Sequence, residues 1–130
     1  HFENIIYNPE NMKYVFIDWR QDFARDLKIG DIYYDLSKLL HGLIINHEII
    51  MKDLYKVEWI NDRLFYEFKR KKILLDCEEY FYQWCIKNHY DVKKIKLLTA
   101  LIYLNIAALH HYPYCLLLYG HGTKMLNELI

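Results

Sequence analysis

"HFENIIYNPENMKYVFID", residues 1–18, holds two short runs of β-branched and aromatic residues, 5–7 and 14–17, on either side of the turn-forming "NPENMK". Side chains of that kind fit a pleated surface, while Asn and Pro favour chain reversal, so the stretch predicts a β-hairpin. Asn4 stands just before the first strand and Asp18 closes the second, and antiparallel pairing therefore brings the two together. A lone hairpin is not stable in water, so this one must lie on other elements or pair with further strands.

Beyond the hairpin, "WRQDFARDLKIG" (19–30) has mixed charge, no sustained period and a closing Gly30, the pattern of an ordered irregular loop. A loop of that length inside a domain is often functional. Asp31 can then cap a helix whose apolar positions Ile32, Leu36, Leu39, Leu40 and Leu43 recur at helical spacing, ending between Gly42 and Asn46. Helical spacing is also read over 49–68, through Leu54, Val57, Ile60, Leu64, Phe65 and Phe68, and again over 73–89, through Leu74, Cys77, Tyr80, Phe81, Trp84 and Cys85. Asp91 can cap a further helix running to Leu109, Pro113 stops it, and a short last helix starts at Thr123. The expected fold class is α+β, mainly α: an N-terminal β-hairpin followed by a bundle of about five helices, in one domain spanning 1–130.

With 130 residues, 54% hydrophobic and 17% aromatic, the chain can build one buried core, and disorder is set aside. Lys and Arg number 17, as do Asp and Glu, so no global field draws the chain to nucleic acid or to an acidic membrane. The longest apolar stretch, 97–109, is 13 residues long and contains Asn105, short of the ~20 that a span requires. Cys77, Cys85 and Cys115 are odd in number with no CxxC spacing, which leads us to expect a reduced, cytoplasmic setting. No repeat or low-complexity segment is present. The first residue is His1 rather than Met, and an upstream segment is expected.

An amide oxygen and a carboxylate meeting at one end of a hairpin suit a hard cation, and Mg²⁺ takes one or two such protein ligands together with phosphates and water. The plainer alternative makes Asn4 a turn residue and Asp18 a strand-end cap. Asp31 and Asp35, four apart, share one helical face; a buried Asp35 carboxylate would need donors, which backbone amides of a nearby loop would supply. Arg20 either salt-bridges within its loop or faces a phosphate or substrate. The basic "FKRKK" (68–72) reads as a solvated helix end, with a phosphate-binding patch as the alternative. Trp59, Tyr66, Trp84 and Tyr112 are core residues or else walls of a pocket for a sugar or quaternary amine. His110, His111, Cys115 and His121 lack the paired spacing of zinc sites.

Taken in order, "HFEN", "VFIDWR" and "GDIYYDLSK" resemble the C-terminal lobe of the aminoglycoside phosphotransferase and choline kinase-like family, whose fold is protein-kinase-like. The catalytic loop of that family runs His-Gly-Asp, four variable residues, then Asn. By the resemblance Asn4 is the metal-binding Asn, and the catalytic Asp falls two places before His1, outside this chain. Asp18 is similar to the second metal-binding Asp, and Asp35 to a helix aspartate that braces the catalytic loop. The resemblance covers 2–38 and implies an ATP- and Mg²⁺-dependent kinase acting on a hydroxyl of a choline-like amino alcohol, sugar or aminoglycoside. An ATP-binding N-lobe and the start of the catalytic loop would then precede His1, and this chain alone would be inactive. "IDWR" departs from the plainest form of the family pattern at Arg20. The alternative is a non-catalytic kinase-like helical module that binds a partner or forms a homodimer.

Overall fold

The computed structural model describes residues 2–17, 25–26 and 28–130; Asp18 and Arg20 lie outside them. A 3-10 turn, Phe2–Asn4, leads into β1 (Ile5–Asn8), which pairs antiparallel with β2 (Lys13–Phe16) in the register Ile5 opposite Phe16 and Tyr7 opposite Tyr14. The connecting turn is shaped by its asparagines: Asn8 Oδ1 accepts from the Glu10 N–H at 2.9 Å and Asn11 Oδ1 from the Lys13 N–H at 3.1 Å.

α1 (Ile32–Ile44) starts where expected, with Asp31 Oδ1 accepting from the Tyr33 N–H at 2.8 Å. It buries Leu36, Ser37, Leu40, Leu43 and Ile44. Leu39 is exposed because it lies one residue, about 100°, round from Leu40. Ile32, seven residues before Leu39 and so on the same rim of the buried arc, is exposed as well. α3 (Lys72–Lys87), α4 (Val92–Ala107) and α5 (Tyr114–Asn127) complete the helical layer. Asp91 caps α4 by accepting from the Lys94 N–H at 3.0 Å.

The helix expected over 49–68 is corrected. After the single turn of α2 (His47–Met51) the chain forms a second hairpin, β3 (Tyr55–Ile60) with β4 (Arg63–Phe68). Its register sets Tyr55 opposite Phe68, Val57 opposite Tyr66 and Trp59 opposite Leu64. Asn61 and Asp62 both have positive φ, 47° and 58°, the pairing that a two-residue type I′ turn requires and that Asn and Asp tolerate best. The apolar positions of this stretch satisfy helical counting and strict alternation at once, and the turn chemistry decides between them. Tyr55, Val57, Leu64, Tyr66 and Phe68 form the inner face. α5 receives that face at Gly120, where a Cβ would meet Leu64 Cδ2 at 2.8 Å.

The last helix starts at Tyr114, not Thr123, because Pro113 sits at the entry to a helix, where its missing N–H costs nothing. α4 lies between α1 and α5, and Leu40, Cys85, Ile95, Ala100, Tyr103, Leu117 and Leu118 are fully buried in one shared core. Each such large apolar side chain contributes about 1.5–3 kcal/mol on burial. Two buried hydroxyls join α1 to α4: Ser37 Oγ donates to the carbonyls of Tyr33 (2.6 Å) and Ile95 (3.2 Å), and Thr99 Oγ1 to those of Ile95 (2.8 Å) and Ser37 (3.2 Å). The architecture is α+β and mainly helical. No helix among the described residues is long and apolar enough to cross a membrane.

Candidate functional site

Asn4 sits where the 3-10 turn becomes β1, half-buried, and its carbonyl accepts the Ile17 N–H at 2.9 Å. That bond continues the β1–β2 ladder by one step. Asn4 is thus opposite Ile17, the residue immediately before Asp18, and Asp18 itself lies outside the described residues. The turn carrying Asn4 is seated on α1 through Phe2, whose ring lies 3.3 Å from the point where a Cβ on Gly42 would be. A larger residue at 42 would push the ring away, so the absence of a side chain there permits the close approach.

Asp35 lies one turn beyond the Asp31 cap and is exposed, contrary to the expected burial. The described residues therefore set Asn4 at the strand end that leads to Asp18, while Asp35 stands exposed on α1. Among the described residues no group of three or more His, Cys, Asp or Glu side chains could hold a metal ion. His110 and His111 pack on the Tyr114 ring, at 4.9 and 6.2 Å between centroids, while His121 stands among Tyr66, Phe68 and Tyr103. The four aromatic wall candidates do not converge either. Trp59 is exposed on β3, Tyr66 faces His121, Trp84 stacks on Tyr90 at 5.6 Å, and Tyr112 is exposed before α5.

The basic run 68–72 corrects its own reading, since it precedes α3 rather than ending a helix. Arg70 Nη2 donates to Glu78 Oε2 (2.5 Å) and to the Leu43 carbonyl (3.0 Å), and Lys71 pairs with Glu48 (2.5 Å). These pairings spend two of its cations on structure.

Around Arg70 the fold builds a cleft of about 380 Å³. Ile44 from α1, Phe68 from β4, Glu78 and Tyr82 from α3, Lys96 from α4 and His121 from α5 line it. Glu78 accepts from Arg70 at one oxygen and from the Tyr82 hydroxyl (2.7 Å) at the other. Burial and that hydrogen bond push the Tyr82 phenol well above its ordinary range. His121 Nδ1 meets the Tyr66 hydroxyl at 3.3 Å, and burial, aided by Lys124 and Arg70, lowers its pKa to about 4, so the ring is neutral at pH 7. The only local hint was Glu78 and Tyr82 at i, i+4 on one helix face.

Compared with protein-family models, curated proteins and solved structures, the chain matches none.

Proposed function

We propose that the chain is the C-terminal part of an ATP- and Mg²⁺-dependent small-molecule kinase, acting on a hydroxyl of a choline-like amino alcohol, a sugar or an aminoglycoside. The observation that carries the reading is the Asn4–Ile17 backbone bond, which sets the Asn4 side of the hairpin beside the strand end leading to Asp18. Asn4 and Asp18 are two oxygen-bearing side chains, the number and type that suit Mg²⁺ when phosphates and water complete its shell. Bound there, the metal would neutralise charge on the transferring phosphoryl group.

In the proposed reaction the acceptor oxygen forms a new P–O bond as the bridging P–O bond of ATP breaks. ADP leaves with the electron pair, and the hydroxyl proton passes to the base expected two places before His1. Catalysis of this kind is mostly positioning and charge stabilisation. The contribution of the described residues is to fix Asn4 through Phe2 on Gly42 and through the hairpin register. In the active protein, replacement of Asp18 by Asn is expected to cut turnover by orders of magnitude while leaving the unfolding midpoint unchanged. Retained turnover, or no phosphorylation of any hydroxyl acceptor by the wild type, would sink the assignment.

A second reading, a non-catalytic module that dimerises, is favoured by the apolar exposure of the first hairpin. Tyr14 is 66% and Phe16 52% exposed on β2, and Ile6 is 50% exposed on β1. Light scattering separates the two: a mass that doubles with concentration and shifts on Phe16→Ser supports the module, and a constant monomer mass removes it.

A further inference from the structure

We propose that the cleft walled by β4, α3, α4 and α5 binds a small oxyanion-bearing molecule, a carboxylate or a phosphate monoester. Its oxygens take the Arg70 Nε–H and the His121 Nε2–H, and its charge is met by Lys96. Three observations converge on this. First, both Arg70 and His121 line the cleft, and Arg70 Nε and His121 Nε2 are buried without a hydrogen-bond partner. The 3.3 Å contact between the Tyr66 hydroxyl and His121 Nδ1 fits either tautomer of the ring, and in the one proposed for binding Tyr66 donates and Nε2 carries the proton, so that both orphans are donors. A buried donor left unmade is costly, and two such donors on residues that line one cleft call for a ligand that brings acceptors.

Second, the acidic groups of the cleft do not compete. Both oxygens of Glu78 are already bonded, to Arg70 and to Tyr82, and Glu128 stands exposed at the rim with Lys124 at 3.8 Å. Lys96 Nζ lies 4.7 Å from the Tyr82 ring centroid with no carboxylate in salt-bridge range among the described residues. Its positive charge is therefore open to an anion. Third, Ile44, Phe68, Met125 and Leu129 give the cleft an apolar lining, and its volume of about 380 Å³ lies in the range of small-ligand pockets. The polar end of the ligand would lie toward Arg70, His121 and Lys96, and an apolar body would cover the rest.

Neither Asn4 nor Asp35 lines this cleft, so the result does not depend on phosphoryl transfer. The test is an NMR titration of the ¹⁵N-labelled protein at pH 7 with inorganic phosphate and, separately, with benzoate, read at the Arg70 Nε–H and His121 side-chain signals. A saturable shift with phosphate assigns the phosphate-ester class, and one with benzoate assigns a carboxylate on an apolar body. Lys96→Met and Lys96→Gln, both long enough to keep the stem over Tyr82, are expected to weaken the bound probe about tenfold with the unfolding midpoint unchanged. No saturation by either probe, shifts confined to exposed lysines, or unaltered affinity in both variants would overturn the proposal.

Discussion

Arg70, on the link between β4 and α3, and Glu78, two turns into α3, form an ion pair in which neither side chain is more than 17% exposed. Removing one partner of such a pair strands a desolvated charge, at a cost of about 3–5 kcal/mol. Glu78→Ala is therefore expected to lower stability in urea by about 3 kcal/mol or more. The double variant Arg70→Met with Glu78→Met should recover more than half of that loss, because the stranded charge is gone. A double variant as unstable as Glu78→Ala would show that shape, not charge, holds the corner together.

Gly42 and Gly122 should respond oppositely to alanine. At Gly42 the neighbour is the ring of Phe2, a partly buried side chain near the chain start that can yield by a few tenths of an ångström. The helix propensity gain of about 1 kcal/mol then dominates, and Gly42→Ala is expected to be neutral or stabilising. At Gly122 the new Cβ would lie 3.0 Å from the Ala100 carbonyl oxygen of α4 and from Leu104 Cγ. Backbone cannot yield so cheaply, and Gly122→Ala is expected to lose about 1–3 kcal/mol in thermal unfolding.

Acid should destabilise the fold before its carboxylates titrate. Burial lowers both His41 and His121 from 6.5 to about 4, with Lys38 and His110 facing the first, and Lys124, Arg70 and Glu78 the second. The unfolded chain takes up these protons near pH 6.5 while the folded chain resists until about 4. Stability is thus fully present above pH 6.5 and falls as pH drops toward 4, by about 2 kcal/mol per histidine between pH 7 and 5. Urea midpoints across that interval check it, and His121→Asn should remove about half of the slope. A flat profile would mean that both rings are hydrated in solution.

The turn of the second hairpin offers a gain. Asp62 has φ 58°, a left-handed conformation that costs a non-glycine residue about 1 kcal/mol or more. Asp62→Gly is expected to raise stability by about 0.5–1 kcal/mol, whereas Asn61→Val, β-branched at φ 47°, should lower it. Thermal midpoints that move the other way would contradict a type I′ turn.

Features governed by near neighbours in the chain could be read from residue order alone. Asp31 and Asp91 cap α1 and α4 because a carboxylate reaches N–H groups two or three residues on. The first hairpin and the core stripe Leu36, Leu40 and Leu43 are legible for the same reason, and so is the step that brings Asn4 beside the residue before Asp18. Residues 55–68 were ambiguous, since their apolar positions satisfy two periods. The strand pairing that burial settled is one for which α5 offers a bare Gly120 to Leu64 and Tyr66. Asp35 also escaped, because a polar residue on an apolar helix faces in or out according to what packs beside it. The cleft belongs wholly to the tertiary structure: Arg70, Glu78, Lys96 and His121 come from separate parts of the chain, and only helix packing brings their charges and unpaired donors to one place.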